Sequence, residues 1–178
     1  DLVPPWITLS ELIERKQSEQ LILFINSLGS SETARAMSRL SDSEQSELFS
    51  LISPEDAADL IEDIPEARAV ELVEDMSPTQ AAAIMEELPS DTLVDVLGEM
   101  DSEASNEILS KMDHEDATEA RKLMAYRTDC AGGLMISEFL SYPSEITIGN
   151  VLDDLQANRE EYSDYNVQYF YVTTNDKK

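Results

Sequence analysis

Carboxylates recur four residues apart, among them Glu55 with Asp59, Asp91 with Asp95, Glu103 with Glu107, and Glu115 with Glu119. On a helix, residues at that spacing share a face, and like charges so placed cost about 0.2–0.5 kcal/mol per pair. A divalent cation relieves that repulsion. Oxygen ligands without histidine or cysteine suit Mg²⁺ or Ca²⁺ rather than zinc or copper. No EF-hand loop of the D-x-[DN]-x-[DN]-G type occurs, which argues against a dedicated calcium cage. Mg²⁺ keeps several waters and uses only one or two carboxylates, which matches sparse pairs on helix faces. The plainer reading of any single pair is a solvated, solubilising face.

Other chemistry finds little support. His114 is the only histidine and Cys130 the only cysteine among the 178 residues. Neither a histidine-rich zinc site nor a C-x-x-C motif can be built, and no catalytic constellation assembles, so the chain is not expected to be an enzyme. Cys130 cannot form an internal disulfide, which fits a reducing compartment. His114, next to Asp113 at a helix start, reads as a surface residue, and Trp6 as an anchor for the N-terminal helix. With 38 acidic and 12 basic residues the net charge is −26. A phosphate backbone needs a basic surface, and an anionic membrane surface also repels this chain. Nucleic acid is therefore excluded; cations and basic partners remain. No stretch approaches the roughly 18–20 apolar residues of a membrane span.

The carboxylate pairs sit within a repeat. From Gly29 to Met124 the chain divides into consecutive 12-residue blocks that begin at Gly29, Ser41, Ser53, Pro65, Ser77, Pro89, Asp101 and Asp113. In the block SPEDAADLIEDI the fifth, eighth, ninth and twelfth places are Ala57, Leu60, Ile61 and Ile64; in the next they are Ala69, Leu72, Val73 and Met76. That spacing is one apolar face of a helix. First places favour Ser, Asp or Pro, which start helices, and Ser41 with Glu44 and Ser77 with Gln80 have capping-box spacing. Each block thus predicts one short helix and a tight turn. Such helices are marginal alone and must stack into an α-solenoid. The twelfth places, Ile64, Met76, Leu88, Met100, Met112 and Met124, read as core packing between helices rather than a methionine-lined groove. Third, seventh and tenth places point outward and are heavily acidic. Residues 5–28 predict one or two further helices.

After Met124 the pattern changes. YRTDCAGGLM, Tyr126–Met135, is a connector with a glycine pair, which serves as a turn or lets a backbone carbonyl approach a partner, a hard cation included. Glu138–Tyr142 predicts a strand and Pro143–Glu145 a turn. Thr147 caps a helix running to about Arg159. Val167–Thr173 predicts a second strand, and Asn175-Asp176 begins a turn. This strand–helix–strand unit has too little core for a domain, and its last strand exposes an edge, so the natural protein is expected to continue.

These blocks, followed by a tyrosine and then by Asp129-Cys130-Ala131-Gly132-Gly133-Leu134-Met135, closely resemble the cytosolic part of MgtE-type magnesium transporters. Cys130 departs from the Thr or Glu often found before AGGLM. The resemblance covers nearly the whole chain and implies a mainly α fold: a right-handed α-superhelix of short helices over residues 1–124, a connector over 125–135, and over 136–178 the first, truncated part of a CBS domain. Its usual closing G-x-L-x-G-V strand is absent. Members of that family are homodimeric membrane channels for Mg²⁺ whose soluble part lies on the cytoplasmic side. The resemblance implies that Mg²⁺ bound between the acidic N domain and the CBS region favours a closed pore, and that its loss lets the domains separate. It maps the metal ligands of the N domain onto Asp59, Asp91 and Asp95, with Gly133 offering a backbone carbonyl. The partners it implies are the remainder of the CBS pair, a plug helix and a transmembrane domain. Some members bind adenine nucleotide at the CBS pair; no residue here is assigned to that. The alternative is an acidic helical-repeat scaffold that binds basic peptides without sensing metal.

Overall fold

The computed structural model describes residues 3–127, 130–137, 139–159, 162 and 169–174. The chain divides into two compact units, Asp1–Leu134 and Met135–Lys178.

Among the described residues the first unit holds ten α-helices: α1 (Pro5–Glu14), α2 (Ser18–Ile25), α3 (Ser30–Met37), α4 (Asp42–Leu51), α5 (Pro54–Glu62), α6 (Glu66–Glu74), α7 (Pro78–Met85), α8 (Ser90–Glu99), α9 (Ser102–Leu109) and α10 (His114–Leu123). The first residue of every 12-residue block is the N-cap of its helix, from Gly29 before α3 to Asp113 before α10. The chemistry at those caps explains the precision. Ser53 accepts from the Asp56 N–H, Asp101 from Glu103 and Asp113 from Glu115, each satisfying an orphan donor of a first turn. Ser41 forms the full capping box with Glu44. Ser77 forms half of one: its Oγ accepts from the Gln80 N–H at 3.3 Å, but the Gln80 side chain donates instead to the Phe49 carbonyl at 3.2 Å. A tie between helices has displaced the local bond.

From α5 onward each helix stacks on the next but one: α5 on α7, α6 on α8, α7 on α9 and α8 on α10. Helices of alternate blocks therefore form the two columns of a superhelix. One continuous apolar core runs from Leu9 to Ala120, and every one of the ten helices contributes to it. Ala57, Leu60, Ile61 and Ile64 are all buried, and so are Leu88, Met100 and Met112 of the twelfth-place stripe, with Met76 and Met124 packed against the core. The stripe is core, as the spacing predicts. Trp6 also packs against it, with the Arg39 guanidinium 5.7 Å from the ring centroid, a cation–π contact.

Four buried polar residues, Thr33, Gln45, Ser90 and Ser105, interrupt the apolar pattern. Gln45 takes a fifth place, where four of the other blocks carry Ala. Its amide donates to the carbonyls of Met37 and Leu40 at 2.9 and 3.0 Å and accepts from Arg68 at 2.6 Å. It thus satisfies carbonyls left open at the end of α3. Thr33, also at a fifth place, is buried, and among the described residues its hydroxyl has no partner.

A 3₁₀ turn, Ala131–Leu134, follows α10. Gly132 is needed there for contact rather than for backbone freedom. No glycine with positive φ occurs among the described residues, but a Cβ on Gly132 would lie 2.5 Å from Cδ1 of Tyr126. The tyrosine ring of the motif packs onto its own glycine.

The second unit contains β1 (Leu140–Pro143), α11 (Ile148–Ala157) and β2 (Phe170–Thr173). The strands pair in parallel, Leu140 opposite Phe170 and Pro143 opposite Thr173, joined through the helix as parallel strands require. Thr147 caps α11 by accepting from the Asn150 N–H. Tyr142 donates to Asp154 at 2.8 Å, and Asn158 donates to the other oxygen of the same carboxylate. Burial, then this bond to Asp154, pushes the Tyr142 phenol up to about 12. Strand β1 starts at Leu140 and ends on Pro143, where the sequence predicts a turn, and α11 ends two residues short of Arg159. Glu138, Val167, Gln168 and the predicted Asn175-Asp176 turn lie outside the described residues.

Candidate metal centre

Asp59 projects from the middle of α5 and is exposed. Asp91, in the first turn of α8, is half-buried, and its Oδ1 accepts from the Thr92 N–H at 2.9 Å. Asp95 lies one turn further along α8, exposed. Helices α5 and α8 thus supply all three aspartates.

Asp59 and Asp91 both act electrostatically on one further residue, Glu62. Glu62, in the last turn of α5, has its carboxyl pushed above the ordinary range, first by burial and then by the negative charges of Asp59, Asp91 and Asp63. Between α5 and α8 lies a recess of about 280 Å³ lined by Glu62, Glu66, Thr92 and Asp95 above Ile61, Ile64, Ala69 and Val96. On its other side Glu62 borders a groove of about 410 Å³ with Asp56, Asp59 and Asp63. Glu62 is the ridge between the two. Its tenth place in the block was the available signal; pairing carboxylates by four residues within one helix passes over it, because residue 58 is Ala and Glu66 opens the next helix.

Gly133 lies in the 3₁₀ turn after α10, on neither α5 nor α8. Among the described residues no group of three or more His, Cys, Asp or Glu side chains converges closely enough to hold a metal ion. The donor set is of the right kind for Mg²⁺, all carboxylate oxygen, but the chain offers it as single and paired ligands. What the arrangement does by itself is concentrate negative charge on the α5–α8 side.

The rest of the acidic surface is partly neutralised from within. Arg68 on α6 pairs with Glu71 and Asp42, which raises its pKa, the bond to Glu71 leading. Lys16 pairs with Glu47 at 2.8 Å. On α10, Asp116 is pushed up by burial and then by Glu86, Asp113, Glu115 and Glu119.

An acidic superhelix of twelve-residue helical repeats, followed in the chain by a small parallel strand–helix–strand unit, defines a helical-repeat domain. Residues 28–129 match the model of the MgtE intracellular N domain; the chain belongs to that family, a transporter domain and not an enzyme family. Two solved structures share the fold. The soluble part of a magnesium transporter aligns with a TM-score of 0.81 at 24% identity, covering 97% of this chain and 67% of that one. The cytosolic domain of the Mg²⁺ channel MgtE in complex with ATP aligns with a TM-score of 0.78 at 22% identity, covering 97% of this chain and 69% of that one. No curated protein sequence matches. Among the described residues no helix is long and apolar enough to cross a membrane.

Proposed function

We propose that this chain belongs to the cytosolic regulatory region of a magnesium transporter and senses intracellular Mg²⁺. The observation that carries the reading is that Asp59 on α5 and Asp91 on α8 both act on Glu62, while among the described residues no ligand set is complete enough to hold the ion alone. Such a surface needs oxygen ligands from elsewhere. A cation shared with a second acidic surface converts repulsion into a bridge. Asp59, Asp91 and Asp95 are the proposed side-chain ligands, and Gly133 offers its carbonyl.

In this reading Met135–Lys178 is the first part of a CBS domain. The parallel β–α–β order and the exposure of every residue of β2 support it, because such a sheet is covered on both faces when complete. The remainder of the CBS pair, a plug helix and a transmembrane domain supply the opposite ligands and the pore, and the full-length protein is a homodimer. Mg²⁺ favours the closed pore only if it binds the compact arrangement more tightly than the open one, since equal affinity shifts nothing.

The test is a thermal-unfolding titration of the chain with MgCl₂ at constant ionic strength, with CaCl₂ as control. A saturable rise in midpoint, lost in Asp91→Asn/Asp95→Asn, places part of the sensor on this chain. At 100-fold excess over Kd, one site adds about 2.7 kcal/mol. A rise shared equally by every salt, unchanged in the variant, reflects screening alone. It favours the acidic scaffold, which pull-down with a basic peptide would then reveal.

A further inference from the structure

Register across the repeat exposes a bond that is made twice and withheld once. Glu74, at the tenth place of its block, accepts from the backbone N–H of Asp101, the N-cap of α9, 27 residues on, at 3.3 Å. Glu86, at the same place one block later, accepts from the N–H of Asp113, the N-cap of α10, again 27 residues on. Each bond ties a helix to the one three blocks further along and so fastens successive turns of the superhelix. The same register pairs Glu62 with Pro89, the N-cap of α8. Proline has no N–H to donate, so the tie has no counterpart there. In the two earlier blocks the tenth place is Ser38 or Ser50, whose hydroxyls donate to the Arg35 and Glu47 carbonyls of their own helices. Glu62 is thus the one tenth-place glutamate that meets a proline.

Two more features fall at the same seam. The carboxylates of Asp59, Asp63 and Asp91 act on Glu62, where Glu74 and Glu86 have a donor. A recess of about 280 Å³ opens between α5 and α8 at this level.

We infer that the α5–α8 seam is a compliant joint of the superhelix: Pro89 withholds the glutamate-to-N-cap tie, and Asp91 on α8 sets a like charge against Glu62 on α5, so the turns spread here while α6–α9 and α7–α10 keep that tie. The joint depends on no cation.

Amide hydrogen exchange, residue by residue, tests it. Pro89→Ala supplies the missing donor. The new backbone amide at position 89 should exchange about tenfold more slowly with Glu62 present than in Glu62→Ala/Pro89→Ala, as befits a hydrogen bond to a charged acceptor. The α8 amides should slow along with it. If the new amide exchanges equally fast in both variants, the register argument is overturned. If it is protected while the α8 rates stay unchanged, the joint is overturned. Should Pro89→Ala fail to fold, the reverse change decides. Glu74→Ala and Glu86→Ala should speed exchange in α9 and α10 up to the rate of α8 in the wild type. Unchanged rates in both overturn the inference.

Discussion

In the helical unit a single apolar core threads ten helices, while in the strand–helix–strand unit only Leu140, Tyr142 and Val151 are buried among the described residues, with Ile146, Leu155 and Tyr162 packed against them. On α11 the outer residues Ile148 and Leu152, one turn apart, are 81% and 60% exposed, and every residue of β2 is exposed. The difference lies in how burial is obtained. A 12-residue block carries its whole apolar face locally, so its neighbour completes it with the same face in the same register. A strand shows two faces, and one helix covers only one of them. Short helices with weak individual propensity therefore give the better-buried region, and the strongly β-forming run FYVT the poorly buried one.

The largest test of that contrast is a core truncation in each region. Leu60→Ala should lower the unfolding free energy by about 2–5 kcal/mol, as for other buried leucines. Urea denaturation followed at Trp6, the only tryptophan, would measure it. Val151→Ala should cost less, followed by near-UV circular dichroism at Tyr142. Equal costs would mean that the second unit is as well packed as the first.

Two intermediate changes probe exceptions within the helical unit. Thr33→Val removes a buried hydroxyl that has no partner among the described residues and keeps the shape. It should stabilise the chain by about 1–2 kcal/mol; a loss in the same denaturation assay would show that the hydroxyl is satisfied. Gly132→Ala drives a Cβ into the Tyr126 ring and should cost about 1–3 kcal/mol, the range for overpacking. Removing the ring as well, in Tyr126→Ala/Gly132→Ala, should cancel the steric part; if it does not, the glycine serves something other than contact.

The smallest effect is electrostatic. The carboxyls of Glu62 and Asp116 are both raised, so the folded state binds their protons more tightly than the unfolded chain. The associated stability is fully present below the unfolded values and is lost as pH rises through the folded ones. Glu44 runs the other way: its carboxyl is lowered, chiefly by the Ser41 hydrogen bond, and its contribution disappears as pH falls through the folded value. The thermal midpoint should therefore peak in mild acid and decline toward neutrality. Glu62→Gln should flatten the neutral limb and leave the acid limb unchanged; the same slope in the variant would show that Glu62 stays solvated.

Much of the helical fold was legible because its signals are local. Serine, proline or aspartate at most block starts sets a cap, and the apolar spacing sets the face, so all eight block starts fall on N-caps. Gln45 and Gln80 escaped the pattern because their partners, the Met37, Leu40 and Phe49 carbonyls, are fixed by packing between helices. The candidate site was legible in kind but not in membership. Spacing along one helix finds Asp91 with Asp95. That Asp59 and Asp91 both act on Glu62 depends on how α5 and α8 approach across intervening helices. The family resemblance pointed to the aspartates; Glu62 carried only the acidic tenth place of its block, and the stacking supplied its neighbours.

Stacking on the next-but-one helix also sets the unit in which this architecture can change length. Losing or gaining one block would move every later helix into the opposite column and reverse its direction there. Losing or gaining two would return each to its own column with its cap and apolar face unchanged. The superhelix is thus quantised in steps of two blocks, the smallest change of length that keeps every later helix in its own column.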